Sequence, residues 1–385
     1  MPAGDEGLIL EGATRIAAPA VNLQHAPGKT GKRPSARPGA RSKGEPFYNP
    51  GMALNRDLSV LLVEALAKER GREIDVADAL AGTGARSLRI AKEVKGNLIV
   101  HANDAMPQAT AAARKAATAN ALGARLTVTE GDAHAFLASQ RFDLVDLDPC
   151  GSPMPFLDAA MRATRHGGLL CATATDTGAL SGTYARACQR RYDAHHGLHA
   201  PAWRGEVGLR ILAGAIVRSA ARFDKVAVPV LSVTRGHWMR VVARVEDGKR
   251  DADAALKLMG EAVVDADGFG RFAPHDRKDG WAGPLWTGSL HDGALVASLQ
   301  TAMAGKSLAC PEEVTELLEL MAQESDAPAF WIVPDLLTKR LGPPPRRDIL
   351  IERLRKAGFT ATRTHLDPQG VRTNADLPAL KAAWG

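Results

Sequence analysis

The sequence predicts an α/β protein whose larger part is an open, parallel, doubly wound sheet. Two observations predict it. Between residues 73 and 176, short apolar runs alternate with helical stretches, and each run ends at or beside an aspartate. Parallel neighbours need right-handed crossovers, which place helices on both faces. The 385 residues suit two or three domains, and 45% hydrophobic content with 24% charge excludes wholesale disorder. No run approaches the eighteen apolar residues of a membrane span. The start, MPAGDEGLIL, has an early acid pair and no long apolar stretch, so no secretory signal is expected. Cys150, Cys171, Cys188 and Cys310 lie far apart with no CxxC pair. A zinc ribbon and a disulfide scaffold are therefore excluded, no metal is expected, and a reducing, cytoplasmic setting is. The net charge of +6 permits a polyanionic partner without requiring one.

Residues 1–45 read as a flexible basic arm. From Lys29 to Lys43 there are six Lys or Arg and no acid, so the stretch is either a solvated linker or an arm touching phosphates. Order is expected to begin at Phe47. Residues 57–70 repeat apolar positions at helical spacing and end in base. Strands follow at 73–78, 98–104, 125–132, 142–149 and 168–176, with helices at 85–94, 107–121 and 154–165 between them. A long helix is expected over 205–222, then a hairpin of 225–234 and 237–246 turning at Arg235-Gly236. The domain so built spans 46–246. Residues 247–385 form a smaller α+β domain. Its end reads helix (VPDLLTKRL), helix (PPPRRDILIERLRKAG) and hairpin (FTATRTHL…GVRT), a winged-helix-like order. Nine Lys/Arg against four Asp/Glu between Asp335 and Thr373 suit a nucleic-acid face.

Ligands of open parallel sheets bind outside the carboxyl ends of the strands. Those ends carry Asp78, Asp104, Asp132, Asp148 and Asp176. The turn Asp78-Ala79-Leu80-Ala81-Gly82-Thr83-Gly84 resembles the nucleotide loop of class I S-adenosylmethionine-dependent methyltransferases, within a Rossmann-like sheet. It lacks the third glycine of a dinucleotide fingerprint, which disfavours a dehydrogenase. Asp104, about twenty residues on, is placed to accept both ribose hydroxyls of an adenosine. Asp132, in EGDA, follows the next strand, where the adenine amine would lie; each of these acids alone could equally cap a helix. Asp148-Pro149-Cys150-Gly151-Ser152-Pro153 resembles the D-P-P-Y-like motif of amino-methyltransferases. The chemistry needs it. An arylamine nitrogen is a poor nucleophile, and a carboxylate accepting its N–H polarises it and takes the departing proton. The proline holds a carbonyl for the second N–H.

Longer motifs extend the resemblance. Phe47-Tyr48-Asn49-Pro50, Asn55-Arg56-Asp57, the Asp148-Pro149-x-Gly-Ser-Pro run, Ala174-Thr175-Asp176-Thr177, Glu206-Val207-Gly208-Leu209-Arg210, Gly283-Pro284-Leu285-Trp286 and Thr362-Arg363-Thr364-His365 resemble the tRNA guanine-N2 dimethyltransferases, which act on guanine 26. The resemblance covers nearly the whole chain after residue 45. It implies S-adenosyl-L-methionine as cofactor and tRNA as partner, with no obligate protein partner. Arg56, Asp78, Gly82, Gly84, Arg86, Asp104, Asp132 and Ala133 would hold the cofactor. Asp148 and Pro149 would be catalytic. Phe47, Asn49, Cys150, Arg363 and His365 would meet the substrate. Cys150 stands where relatives have an aromatic, and the Cys-rich zinc site of many relatives is missing. The alternatives are an amino-methyltransferase acting on rRNA guanine N2 or DNA adenine N6, and a non-catalytic RNA-binding relative.

Overall fold

The structure is a computed structural model that describes residues 7–17, 47–198, 203–264, 270–273, 281–325, 330–332, 342–343 and 345–385. It opens with a hairpin of β1 (Leu8–Glu11) and β2 (Thr14–Ala17), paired antiparallel across Gly12-Ala13, where Gly12 takes φ +59. Order therefore begins before Phe47, which corrects the expectation of a featureless start; the basic stretch 29–43 lies outside the described residues. Helix α1 (Ala53–Arg70) buries Leu58, Leu61, Leu62 and Leu66. It stops at Gly71, whose left-handed φ of +62 lets its N–H bond the Ala67 carbonyl, with Lys68 and Arg70 in the last turn.

The alternating segment follows the expected order. It runs β3 (Ile74–Asp78), α2 (Ala85–Glu93), β4 (Leu98–Asp104), α3 (Pro107–Ala119), β5 (Leu126–Glu130), α4 (Ala133–Ser139), β6 (Phe142–Leu147), α5 (Met154–Ala163) and β7 (Thr164–Ala174). Strand β7 starts four residues earlier than its apolar run. After α6 (Thr177–Leu180), α7 (Ala185–Tyr192) and β8 (His195–His196) come α8 (Arg204–Ala221) and the antiparallel hairpin of β9 (Lys225–Arg235) and β10 (Trp238–Asp247). The seven-stranded sheet has the order β5-β4-β3-β6-β7-β10-β9. Strand β3 pairs in parallel with β4 and with β6, so the order reverses there. A crevice is expected at such a reversal, at the carboxyl ends of β3 and β6.

The remainder comprises α9 (Lys249–Leu256), β11 (Met259–Val264), β12 (Gly270–Ala273), β13 (Trp281–Trp286), α10 (Gly293–Ala302), α11 (Pro311–Gln323), β14 (Phe330–Ile332), α12 (Arg347–Lys356), β15 (Ala361–Arg363), β16 (Gly370–Thr373) and α13 (Leu377–Trp384). Strands β12-β11-β13-β8 form a second sheet. At the end of the chain, α12 and the β15–β16 hairpin match the expected order; VPDLLTKRL lies outside the described residues. Two further elements complete that module. Strand β14 pairs with β16, and α13 adds Leu380 and Trp384 to a core of Leu350, Leu354 and Val371. The Asp376 carboxylate caps α13 by accepting from the Ala379 N–H at 3.0 Å. By contacts the chain divides into two compact units. The first comprises 1–148, 159–170 and 297–316, and the second 149–158, 171–296 and 317–385.

Candidate active site

The register of β3 on β6 sets Asp78 opposite Asp146, and Asp148 follows two residues later. All three acids belong to the first unit, where α2 brings Arg86 to them. The guanidinium is buried. Its Nη2 donates to Asp148 Oδ2, and Nη1 donates to Asn55 Oδ1 (2.7 Å) and Ser59 Oγ (2.5 Å) on α1, with Asp146 Oδ2 at 3.5 Å. Asn55 and Ser59 are one helical turn apart, so one face of α1 orients the arginine. Asp78 accepts from Ser87 Oγ at 2.7 Å. Burial pushes Asp78 up to about 7; Arg86 opposes this, and the neighbouring Asp146 and Asp148 add to it. Asp146 and Asp148 thus lie against one guanidinium, and Asp78 feels its charge. The side chains of Asp146 and Asp148 are 1% and 17% exposed. Among the described residues, Asp148 Oδ2 is engaged by Arg86, while no protein donor reaches Oδ1.

The loop after β3 turns on Gly82 (φ +55) and Gly84 (φ +74), conformations that a side chain resists. A Cβ on Gly84 would meet the Ala113 Cβ at 2.9 Å, so this glycine also serves the packing of α2 on α3. Asp104 holds the loop. Its Oδ2 accepts from the Gly82 N–H (2.8 Å) and its Oδ1 from the Met106 N–H (2.9 Å). Each oxygen keeps a second lone pair for a hydroxyl. Asn103 beside it donates to the carbonyls of Ala79 (3.2 Å) and Gly131 (3.1 Å), tying together the loops after β3 and β5. Asp132 is exposed and caps α4, accepting from the N–H groups of His134 and Ala135; these bonds hold its carboxyl below the usual range. Ala133 begins the same helix and is buried.

Arg56 has a different environment. It is buried and lies against Glu11 of β1, through Nε to Oε1 (2.6 Å) and Nη2 to Oε2 (2.5 Å). Its Nη2 also donates to the Asn49 carbonyl (3.1 Å), and its guanidinium lies 5.0 Å from the centre of the Tyr48 ring. Arg56 therefore braces the 47–52 segment. In that segment the Asn49 side chain accepts from the Gly51 N–H, and the Phe47 carbonyl lies 3.3 Å from where a Cβ on Gly82 would sit. Glu11 had no place in the sequence reading. The turn Glu11-Gly12-Ala13-Thr14 between two apolar runs is the signal that finds its hairpin.

In the second unit Cys150 is exposed, and the Gly151 N–H donates to Thr175 Oγ1 at 2.7 Å. Arg363 pairs with Asp348 at 2.7 Å, and both are exposed. His365 is buried. Its Nδ1 meets Glu324 Oε2, and its Nε2 lies 2.8 Å from the Ser232 carbonyl. The substrate contact expected of His365 does not fit this placement, because both ring nitrogens are spent inside the protein. His291, Glu324 and His365 bring possible ligand atoms within 4.8 Å of one another. Glu324 is also engaged by Thr364 Oγ1 (2.6 Å) and Arg372 Nε (2.6 Å), so this carboxylate already has its cations and donors. They hold its pKa far below the usual range despite burial. Among the described residues no helix is long and apolar enough to cross a membrane.

Residues 29–383 match the family described as N2,N2-dimethylguanosine tRNA methyltransferase. A tRNA (guanine(26)-N(2))-dimethyltransferase of Thermococcus kodakarensis is 37% identical over 349 residues, 86% of this chain and 90% of the relative. One of Methanothermobacter thermautotrophicus is 36% identical over 352 residues, covering 87% and 91%. The structure of Trm1 from Pyrococcus horikoshii in complex with S-adenosyl-L-methionine superposes with a TM-score of 0.85 at 30% identity, covering 98% of this chain and 99% of that one.

Proposed function

Because the chain belongs to the N2,N2-dimethylguanosine tRNA methyltransferase family, we propose that it transfers methyl groups from S-adenosyl-L-methionine to the exocyclic N2 of guanine 26 in tRNA, giving the mono- and then the dimethylated base. One observation carries the reading. Asp148 has one oxygen clamped by a buried arginine and the other without a protein donor among the described residues, at the end of a strand beside the order reversal.

The residues suit the cofactor. The glycine turn lets ligand and backbone approach closely, and Asp104 keeps a lone pair on each oxygen for the ribose. Asp132 and Ala133 would hold the adenine. When bound, S-adenosyl-L-methionine supplies an electrophilic methyl on a cationic sulfonium. The surplus of carboxylates around Arg86 favours a cation there, by Coulomb attraction in a poorly solvated site.

The protein's own part is positioning and proton removal. The guanine leaves its stack to reach the site. Asp148 Oδ1 accepts one N2 hydrogen, which restrains the amine and raises electron density on nitrogen. Arg86 keeps Oδ2 in place, so the carboxylate does not rotate. As N2 gains its methyl, Asp148 takes the proton, and Arg86 stabilises the carboxylate again once that proton passes to water. Pro149 fixes the backbone that follows. Phe47 and Asn49 of the first unit, Cys150 of the second, and residues 247–385 with Arg363 would each contact the tRNA.

The test is Asp148→Ala. Arg86 retains Asp146 as a partner, so the fold is expected to survive. Methyl transfer is expected to fall by about 10²–10⁴-fold, while calorimetry still records cofactor binding. Nucleoside mass spectrometry with site mapping should find the wild-type product at guanine 26. Transfer near the wild-type rate in the variant, or label on another nucleoside, would overturn the reading.

A further inference from the structure

A hollow of about 780 Å³ lies wholly within the second unit, lined among others by Thr175, Gly178, Tyr184, Arg186, Arg190 and Arg191. Nothing in the proposed reaction uses it. Tyr184 is 66% exposed, and among the described residues it is the one aromatic side chain of the exposed large hydrophobics. Its ring lies against Gly178, where an added Cβ would meet Cδ2 at 2.7 Å, and the Tyr184 N–H donates to the Gly178 carbonyl at 2.9 Å. The ring is thus held on one side with much of its surface open to solvent.

The charges beside it are distributed unevenly. Arg191 pairs with Asp176 at 2.9 Å, and Asp176 also accepts from the Tyr192 hydroxyl at 2.6 Å. Arg186 and Arg190, one helical turn apart on α7, are exposed and have no acidic partner among the described residues. An open aromatic ring beside two uncompensated guanidiniums matches the two halves of a nucleotide, a stacking base and a phosphate. The hollow is also anchored to Gly151 of the same unit. Thr175 accepts from the Gly151 N–H through Oγ1, and its own N–H donates to the Gly151 carbonyl at 2.9 Å.

We infer that this hollow holds one unpaired nucleotide of the tRNA, its base stacked on Tyr184 and its phosphates on Arg186 and Arg190. The inference rests on the tRNA reading and adds a second grip beyond the target guanine. Its test is filter binding of unmodified tRNA to the full-length protein. Tyr184→Ala should weaken Kd roughly 5- to 140-fold, the equivalent of about 1–3 kcal/mol for one stacked base. Tyr184→Phe, which keeps the ring, should restore binding. In R186Q/R190Q the slope of log Kd against log salt should fall by about 1.4–1.8, two phosphate contacts. Cofactor affinity by calorimetry should stay at the wild-type value in all three variants. A Kd within twofold of wild type for Tyr184→Ala would overturn the nucleotide site, as would an unchanged salt slope in the double variant. Wild-type protein that neither bound nor methylated tRNA would instead remove the functional reading on which the site depends.

Discussion

The first unit contains two buried clusters of acids and arginines that differ in how fully their carboxylate oxygens are engaged. Around β1, Glu11, Asp57 and Glu93 face Arg56 and Arg89. Remaining acceptor capacity is met by the Tyr48 and Thr14 hydroxyls and by the N–H groups of Ala309 and Cys310. Arg56, Tyr48 and Arg89 hold Glu11 down to about 2 against the upward push of burial. Around the carboxyl ends of β3 and β6, Asp146 and Asp148 pair with Arg86, Asp78 accepts from Ser87, and Asp78 rises to about 7. A cluster that only stabilises a fold is satisfied internally. A cluster with an open carboxylate oxygen, as at Asp148, can take a further donor from outside.

The largest effect on this contrast comes from Glu11→Ala. It leaves the buried Arg56 without its bidentate partner and removes the brace of the 47–52 segment. A loss of about 3–5 kcal/mol is expected in denaturant unfolding, with a fall in cofactor affinity. If stability stayed at the wild-type value, the hairpin would not be the anchor described above.

The two clusters should also respond to pH with opposite sign. Glu11 titrates below its unfolded value of 4.5, so its contribution is complete above 4.5 and is lost as pH falls toward 2. The stability gap between wild type and Glu11→Gln should therefore close over that window, by about 3 kcal/mol. Asp78 titrates above its unfolded value of 3.8, so the folded state keeps a proton the unfolded chain has released, and stability falls as pH rises from 3.8 to about 7. Asp78→Asn should remove that fall, gaining on wild type by up to about 4 kcal/mol and levelling off above pH 7. Thermal melts across pH 2–8 measure both. A gap that moved in the same direction for the two variants would refute the contrast.

The smallest effect comes from Gly84→Ala. The positive φ and the 2.9 Å approach to Ala113 should cost about 1–3 kcal/mol. A neutral result in chemical denaturation would show that the turn relaxes and that the glycine there serves something other than packing.

Much of the fold was legible in the chain, because alternating apolar runs, Gly-containing turns and helix ends are local events. The five strands ending near Asp78, Asp104, Asp132, Asp148 and Asp176 follow from period and punctuation alone. The β1–β2 hairpin escaped notice because its strands have four residues each, and β14 has three. Helix α13 has a readable start, Asp376 two residues ahead of Pro378. His365 shows the opposite failure. A linear motif marks a residue as characteristic without saying whether it faces a ligand or a buried carboxylate.

The sequence by itself determined the alternating order from α1 to β7, the Gly turn, the Asp148-Pro149 motif and the family, since each is written in consecutive residues. Only the tertiary structure decided what each strand-end acid does. Asp132 caps a helix, Asp104 holds two loop amides, Asp176 pairs with Tyr192 and Arg191, Asp78 is raised by burial, and Asp148 keeps an oxygen open among the described residues. The physical reason is that a carboxylate's charge state and free lone pairs depend on burial and on partners distant in the chain, as Arg86 is, 62 residues from Asp148.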